Sequence, residues 1–133
     1  MMSTKPKDII SQWIERSDYD LSAAISMNKS GHLLYVAFLC QQAVEKILKA
    51  LWCHKKTNSP PYVHNLTTLS ESLNLPLTKS QQHLLDLLNR YYIVGRYPTF
   101  KQKLAITLNK KNASKLLKET EDFVKWSKKY ILT

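Results

Sequence analysis

The sequence predicts an all-α fold in a single domain, residues 1–133, and two observations carry this expectation. Only two glycines and five prolines interrupt 133 residues, and the stretches between them space their apolar side chains at helical rather than alternating intervals. The length suits one domain with a core of its own and is short for two.

Taken in order, the first helix is expected from about Lys7 to Asn28, capped near Thr4 or Ser3. Its stripe is Ile9, Ile10, Trp13, Ile14, Leu21, Ala24 and Ile25, and Asn28 to Gly31 stops it. The second, about Leu33 to His54, is the clearest, with Leu33, Val36, Ala37, Cys40, Ala43, Val44, Ile47, Leu48 and Leu51 at steps of three or four. Its other face carries Gln41, Gln42, Glu45, Lys46 and Lys49, where Gln42 and Lys46 are neighbours and Glu45 can pair with Lys49. Asn58, Ser59, Pro60 and Pro61 make Lys55 to Val63 a loop.

Asn65 then reads as the cap of a short helix from Leu66 to Leu73, and Pro76 separates it from the next. Thr78 and Gln81 form a capping box that opens a helix with the stripe Leu84, Leu85, Leu87 and Leu88, ending at Tyr92 or Ile93. Gly95 and Pro98 bracket Arg96 and Tyr97 in a sharp turn. Thr99 to Lys111 shows no clear period and reads as loop or as a short helical piece around Leu104 to Leu108. The last helix, about Ala113 to Tyr130, takes Asn112 as its cap and aligns Leu116, Leu117, Phe123, Val124 and Ile131 beside a lysine-covered face.

The net charge is +10, and from residue 100 onward nine lysines face three acids, a local +6. Such a field attracts the phosphates of RNA, DNA or free nucleotides, or an acidic protein; equally, it describes a solvated surface that keeps the chain soluble. Cys40 and Cys53 lie thirteen positions apart in one helix, a spacing that suits neither a disulfide nor a metal pair, so they read as packed or idle thiols. Met1 to Asp8 is polar and no apolar run approaches a membrane span, which makes the cytoplasm the expected location.

Arg90 and Arg96 are two of three arginines in a chain with seventeen lysines, and they flank a tyrosine-rich run. A guanidinium offers a planar fork that fits phosphate or carboxylate oxygens, and Tyr97 beside it can stack on a base. In the alternative, Arg96 pairs with Glu45 or Asp86 and pins the turn. His64 precedes a helix start whose amides suit an anion, or else it bonds a neighbouring carbonyl. His32, His54 and His83 show no ligand spacing, so neither a metal nor another cofactor is expected. The chain has no glycine-rich phosphate loop and no nucleophile with a recognisable signature, so no catalytic residue is assigned and any nucleotide site must use side chains.

The string from Tyr35 to Leu51, with Gln41, Gln42, Glu45, Lys46 and Lys49, resembles the second helix of the HEPN family; His64-Asn65-Leu66 and Tyr92 to Pro98 follow in that family's order. The resemblance spans nearly the whole chain. It implies an up-and-down bundle of four to five helices, a homodimer, and a small nucleotidyltransferase as partner in a two-protein system of toxin–antitoxin type. Some branches are ribonucleases in which an arginine is followed, after about four to six intervening residues, by a histidine. None of Arg16, Arg90 and Arg96 is followed by a histidine in that window.

The leading expectation is a nucleotide- or RNA-binding subunit without catalysis of its own, its site formed by Arg96, Tyr97, Arg90, His64, Gln42 and Lys46. Gln42 and Lys46 could instead tie the second helix to the turn or line the dimer interface. The alternatives are a metal-independent ribonuclease using a divergent set such as His64 with Arg96, and a module that only docks an acidic protein.

Overall fold

The computed structural model describes residues 6–56, 58–94 and 108–132. Among them run five helices: α1 Pro6–Ser30, α2 Leu33–Lys55, α3 Leu66–Ser72, α4 Lys79–Val94 and α5 Lys110–Leu132. They form a helical bundle in which α2 touches all four others, α1 and α4 also pack on α5, and α3 rests on α4.

The central place of α2 follows from its sequence. Thirteen of its 23 residues are buried, and these include Gln41, Glu45 and Lys49 as well as the apolar stripe. The face that reads as polar in sequence is therefore covered rather than solvated. A helix buried nearly all round belongs inside a bundle. Along the α1–α2 seam Ala24 and Ala43 are fully buried, and the Ser17 hydroxyl donates to the Ala43 carbonyl at 2.7 Å.

α1 runs two residues beyond the expected Asn28, while its expected caps, Thr4 and Ser3, lie outside the described residues. Gly31 ends it with φ +82°, a backbone state that glycine adopts without strain, and the His32 amide donates back to the Met27 carbonyl at 2.9 Å.

Two expected caps are in place. Asn65 Oδ1 accepts from the Thr68 amide at 3.0 Å; Thr78 and Gln81 exchange side-chain and backbone bonds at 2.9 and 3.1 Å, a complete capping box. The third is corrected. α5 begins at Lys110, and its cap is Asn109, whose Oδ1 accepts from the Asn112 amide at 2.8 Å. Lys110, Lys111 and Asn112 are exposed, so the first turn offers no apolar signal and the periodicity starts only at Ala113. Thr120 and Ser127 are also buried on α5; their hydroxyls donate to the carbonyls of Leu116 and Phe123, which lets polar residues sit in the stripe. The turn at Gly95 to Pro98 and most of the uncertain stretch after it lie outside the described residues; Leu108, at its end, is buried and not helical.

Three of the seven lysines of α5 stand beside a carboxylate. Lys118 pairs with Asp122 at 3.0 Å, Lys128 with Asp18 of α1 at 2.6 Å, and Lys115 stands 4.0 Å from Glu119. No described helix is long and apolar enough to cross a membrane.

Removing the α5 cap tests the corrected boundary: Asn109→Ala is expected to lower stability by about 1 kcal/mol, read from urea unfolding midpoints. A second test concerns Cys40, fully buried between α2 and its neighbours. Burial pushes its thiol up from 9.0 to about 12, against a smaller opposing effect of the Thr120 hydroxyl. Above pH 9 the unfolded thiol releases its proton while the folded one holds it, so stability falls as pH rises through that window, by at most about 1.4 kcal/mol per pH unit. Unfolding midpoints at about pH 8 and about pH 10.5 should therefore diverge less in Cys40→Ala than in the parent.

Candidate functional site

Gln41, Glu45 and Lys49 follow one another at single-turn intervals, so α2 sets them in one line. The chain returns across that line at residues 61–65, just before α3. Glu45 is 5% exposed, and its carboxylate collects three donors: Gln41 Nε2 at 3.2 Å and His64 Nδ1 at 2.9 Å on Oε1, and Lys49 Nζ at 3.2 Å on Oε2. Gln41 Nε2 also donates to the His64 carbonyl at 3.2 Å, and Gln42 Nε2 donates to Gln41 Oε1 at 2.6 Å. A buried carboxylate is tolerated only when its lone pairs are met by charged and hydrogen-bonding partners, and here they are. A carboxylate on Nδ1 holds the imidazole in one orientation with a proton there, and Nε2 takes no part in that bond.

Aromatic rings surround this cluster. Lys49 Nζ lies 5.5 Å from the Trp13 ring centroid and 5.8 Å from that of Tyr62, and the Arg16 guanidinium stands 5.3 Å over Trp13. Tyr62 meets His64 edge-on at 5.3 Å, His64 meets Tyr92 at 5.7 Å, and Tyr92 stacks with Phe38 at 6.4 Å and 17°. Tyr62 is 90% exposed and Phe38 47%; Tyr19, at 77%, and Tyr35, at 59%, are open as well.

The residues singled out in sequence fall into four groups. His64 and Gln42 meet through Gln41. Lys46 reaches away from Gln42 to Asp20 of α1, a carboxylate only 9% exposed, so it ties α2 to α1. Arg90 is exposed on α4, two residues before Tyr92. Arg96 and Tyr97 lie outside the described residues, as does the proposed pairing of Arg96 with Glu45 or Asp86.

Two amides at the start of α3 are already engaged, Leu66 with Asn89 Oδ1 at 2.9 Å and Thr68 with Asn65 Oδ1 at 3.0 Å. The His64 ring does not bond a neighbouring carbonyl; its partner is Glu45. Sequence reasoning missed Trp13, Phe38 and Tyr62, and it treated Glu45 and Lys49 as a surface pair. The one signal available was the triple Gln41, Glu45, Lys49 at intervals of four.

A separate cavity of about 480 Å³ lies between α3 and α4, bordered by Thr67, Glu71, Asn74, Gln82 and Asp86, and shares no residue with this cluster. Among the described residues no group of three or more histidines, cysteines and carboxylates could hold a metal ion.

The cluster makes a stability prediction. Glu45→Gln leaves Lys49 buried without its carboxylate and is expected to cost about 3–5 kcal/mol, whereas a Glu45→Leu and Lys49→Met double substitution recovers most of that loss. Chemical unfolding of the three proteins checks it.

The architecture is shared with a solved structure. The crystal structure of TT1696 from Thermus thermophilus superposes with a TM-score of 0.74 at 22% sequence identity, over 90% of this chain and 96% of that one. No curated protein matches the chain. The family model of the HEPN domain matches residues 10–130, and with that match over nearly its full length the chain belongs to the HEPN domain family.

Proposed function

We propose that this protein is a nucleotide- or RNA-binding HEPN subunit, one domain over residues 1–133, that acts without catalysis of its own. Its partner in this reading is a small nucleotidyltransferase, in a cytoplasmic two-protein system of toxin–antitoxin type, and the subunit works as a homodimer. The observation that carries the binding role is the carboxylate-clamped His64 standing between the exposed ring of Tyr62 and the half-buried ring of Tyr92. An imidazole held in one orientation beside stacking surfaces is a built recognition surface for a base or sugar. Arg90 and Arg96 supply the phosphate contacts in this reading, with Tyr97 and Gln42 at the base; Lys46 contributes through its tie to Asp20 rather than through the ligand. The absence of a histidine in the window after each arginine supports binding without cleavage.

Titration calorimetry with ATP, GTP and a short RNA tests the reading. Binding is expected with at least one of them, weakened about tenfold or more by Arg90→Ala or Arg96→Ala, as the loss of a charge-assisted contact of roughly 1.5–3 kcal/mol requires. No heat with any of the three would leave a docking role alone. Co-purification with the product of a neighbouring reading frame encoding a nucleotidyltransferase checks the partnership.

One observation favours a second reading. Glu45 orients His64 through Nδ1 and leaves Nε2 outside that bond, the geometry of a carboxylate-oriented histidine in general acid–base catalysis. Incubation with labelled RNA decides it: cleavage that disappears in His64→Ala and Arg96→Ala would replace the binding-only role by a divergent ribonuclease.

A further inference from the structure

Away from the His64 cluster, α5 carries a charge pattern that the bundle does not use. Between residues 113 and 129 its exposed positions are Lys115, Lys118, Asp122, Lys125 and Lys129. Their steps of three and four residues keep them on one side of the helix, and Lys111, also exposed, extends the line by a turn. The line is about 27 Å long and one side chain wide. We infer that it is the docking face for an acidic α-helix of a partner protein, laid alongside α5. This surface shares no residue with the His64 cluster, and the inference does not depend on what that cluster binds.

The fold has little use for these cations. Lys118 bonds Asp122 at 3.0 Å and Lys115 stands 4.0 Å from Glu119, both pairs within the helix and open to water, where such pairs contribute little. Among the described residues Lys111, Lys125 and Lys129 meet no carboxylate. The other side of α5 does the packing, through buried Leu116, Leu117, Phe123 and Val124. A line of like charges at short intervals costs the helix through repulsion, which a partner of opposite charge relieves.

The acids of α5 decide between an acidic helix and a phosphate backbone. Asp122 breaks the line near its middle. Glu119 and Glu121, half-buried, stand on either side of it, since each residue turns the helix by about 100°. A nucleic acid presents phosphates without a gap and would be pressed against these three carboxylates. A helix carries discrete charges at the same three- and four-residue intervals, about 5–6 Å apart, and can set a neutral or basic residue against Asp122. Pattern as well as sign therefore selects the partner.

Trp126 adds an apolar margin. It follows Lys125 at the edge of the line, half-buried, its ring held by Phe123 at 5.9 Å and Tyr130 at 5.4 Å. A fixed indole beside a row of cations gives a docking helix something to cover besides charge.

Fluorescence anisotropy with labelled synthetic peptides tests this. The first probe is a helix-forming peptide of about 21 residues, with glutamates spaced to face the lysines and one lysine spaced to face Asp122. The others are a scramble of the same composition, the same peptide with glutamate in place of that lysine, and a short RNA duplex. The parent protein is expected to bind the first peptide, more tightly at low salt, and to bind scramble and duplex more weakly. Lys125→Glu combined with Lys129→Glu should weaken the first peptide about tenfold or more. Glutamate opposite Asp122 should cost about threefold in the parent and nothing in Asp122→Asn. All three positions are exposed, so the variants keep the helical circular dichroism of the parent.

Equal binding of the scramble, tighter binding of the duplex than of the peptide, or indifference to the double reversal would overturn the inference. So would no binding of the first peptide, which would leave the lysines a solvated face. Each of these outcomes leaves the nucleotide-binding reading to its own calorimetric test.

Discussion

One buried charge organises the candidate site of this bundle. Glu45 sits on the most enclosed helix, where an unpaired carboxylate would cost several kcal/mol. Its need for donors sets what lies around it: Lys49 one turn on, Gln41 one turn back, and His64 from a loop nineteen residues away. Once Lys49 is drawn in, its ammonium also requires company, and Trp13 of α1 and Tyr62 of the loop supply ring faces. A single carboxylate thus fixes the returning loop against both α1 and α2. The rings that stand in solvent are placed by a charge that does not.

The scaffold around that centre is joined by side chains that cross between helices. Ser17 reaches the Ala43 carbonyl, Lys46 reaches Asp20, and Lys55 closes the far end of α2 on the Leu73 carbonyl at 2.7 Å and Tyr130 at 3.2 Å. Asn89 does the same for α3, taking the Leu66 amide and donating to Thr67. α3 has only seven residues, too few to persist alone, so these bonds to α4 give it its position. The loop carrying Tyr62 and His64 is consequently held at both ends.

The helices were legible in sequence because burial imposes a period that a single chain displays. The buried stripe of α2 and the caps at Asn65 and Thr78 needed no partner to be recognised. The error at α5 has the same origin: Lys110 to Asn112 face water, water imposes no period, and Asn112 looked like a cap although Asn109 is one. Less legible was the line Gln41, Glu45, Lys49. Polar residues every four positions look alike whether they face solvent or other side chains, and only the distant His64 and Trp13 tell the cases apart. Tyr62 gave no signal either, since an exposed loop ring leaves no pattern, while Arg96 and Tyr97, prominent in sequence, lie beyond the described residues.

The same distinction reorders the functional candidates. Lys46 is accounted for by Asp20, and the donor end of Gln42 by Gln41, so the fold has a use for both without a ligand. Three of the seven α5 lysines are likewise engaged with nearby carboxylates. Tyr62 and the open face of Phe38 are different, because stability gains little from a large ring left in water. His64 belongs to both groups: Nδ1 serves the buried carboxylate and Nε2 does not. Function is best sought where the chain spends chemistry that the fold does not consume, and among the described residues Tyr62, His64 and Phe38 are three such places joined by ring contacts.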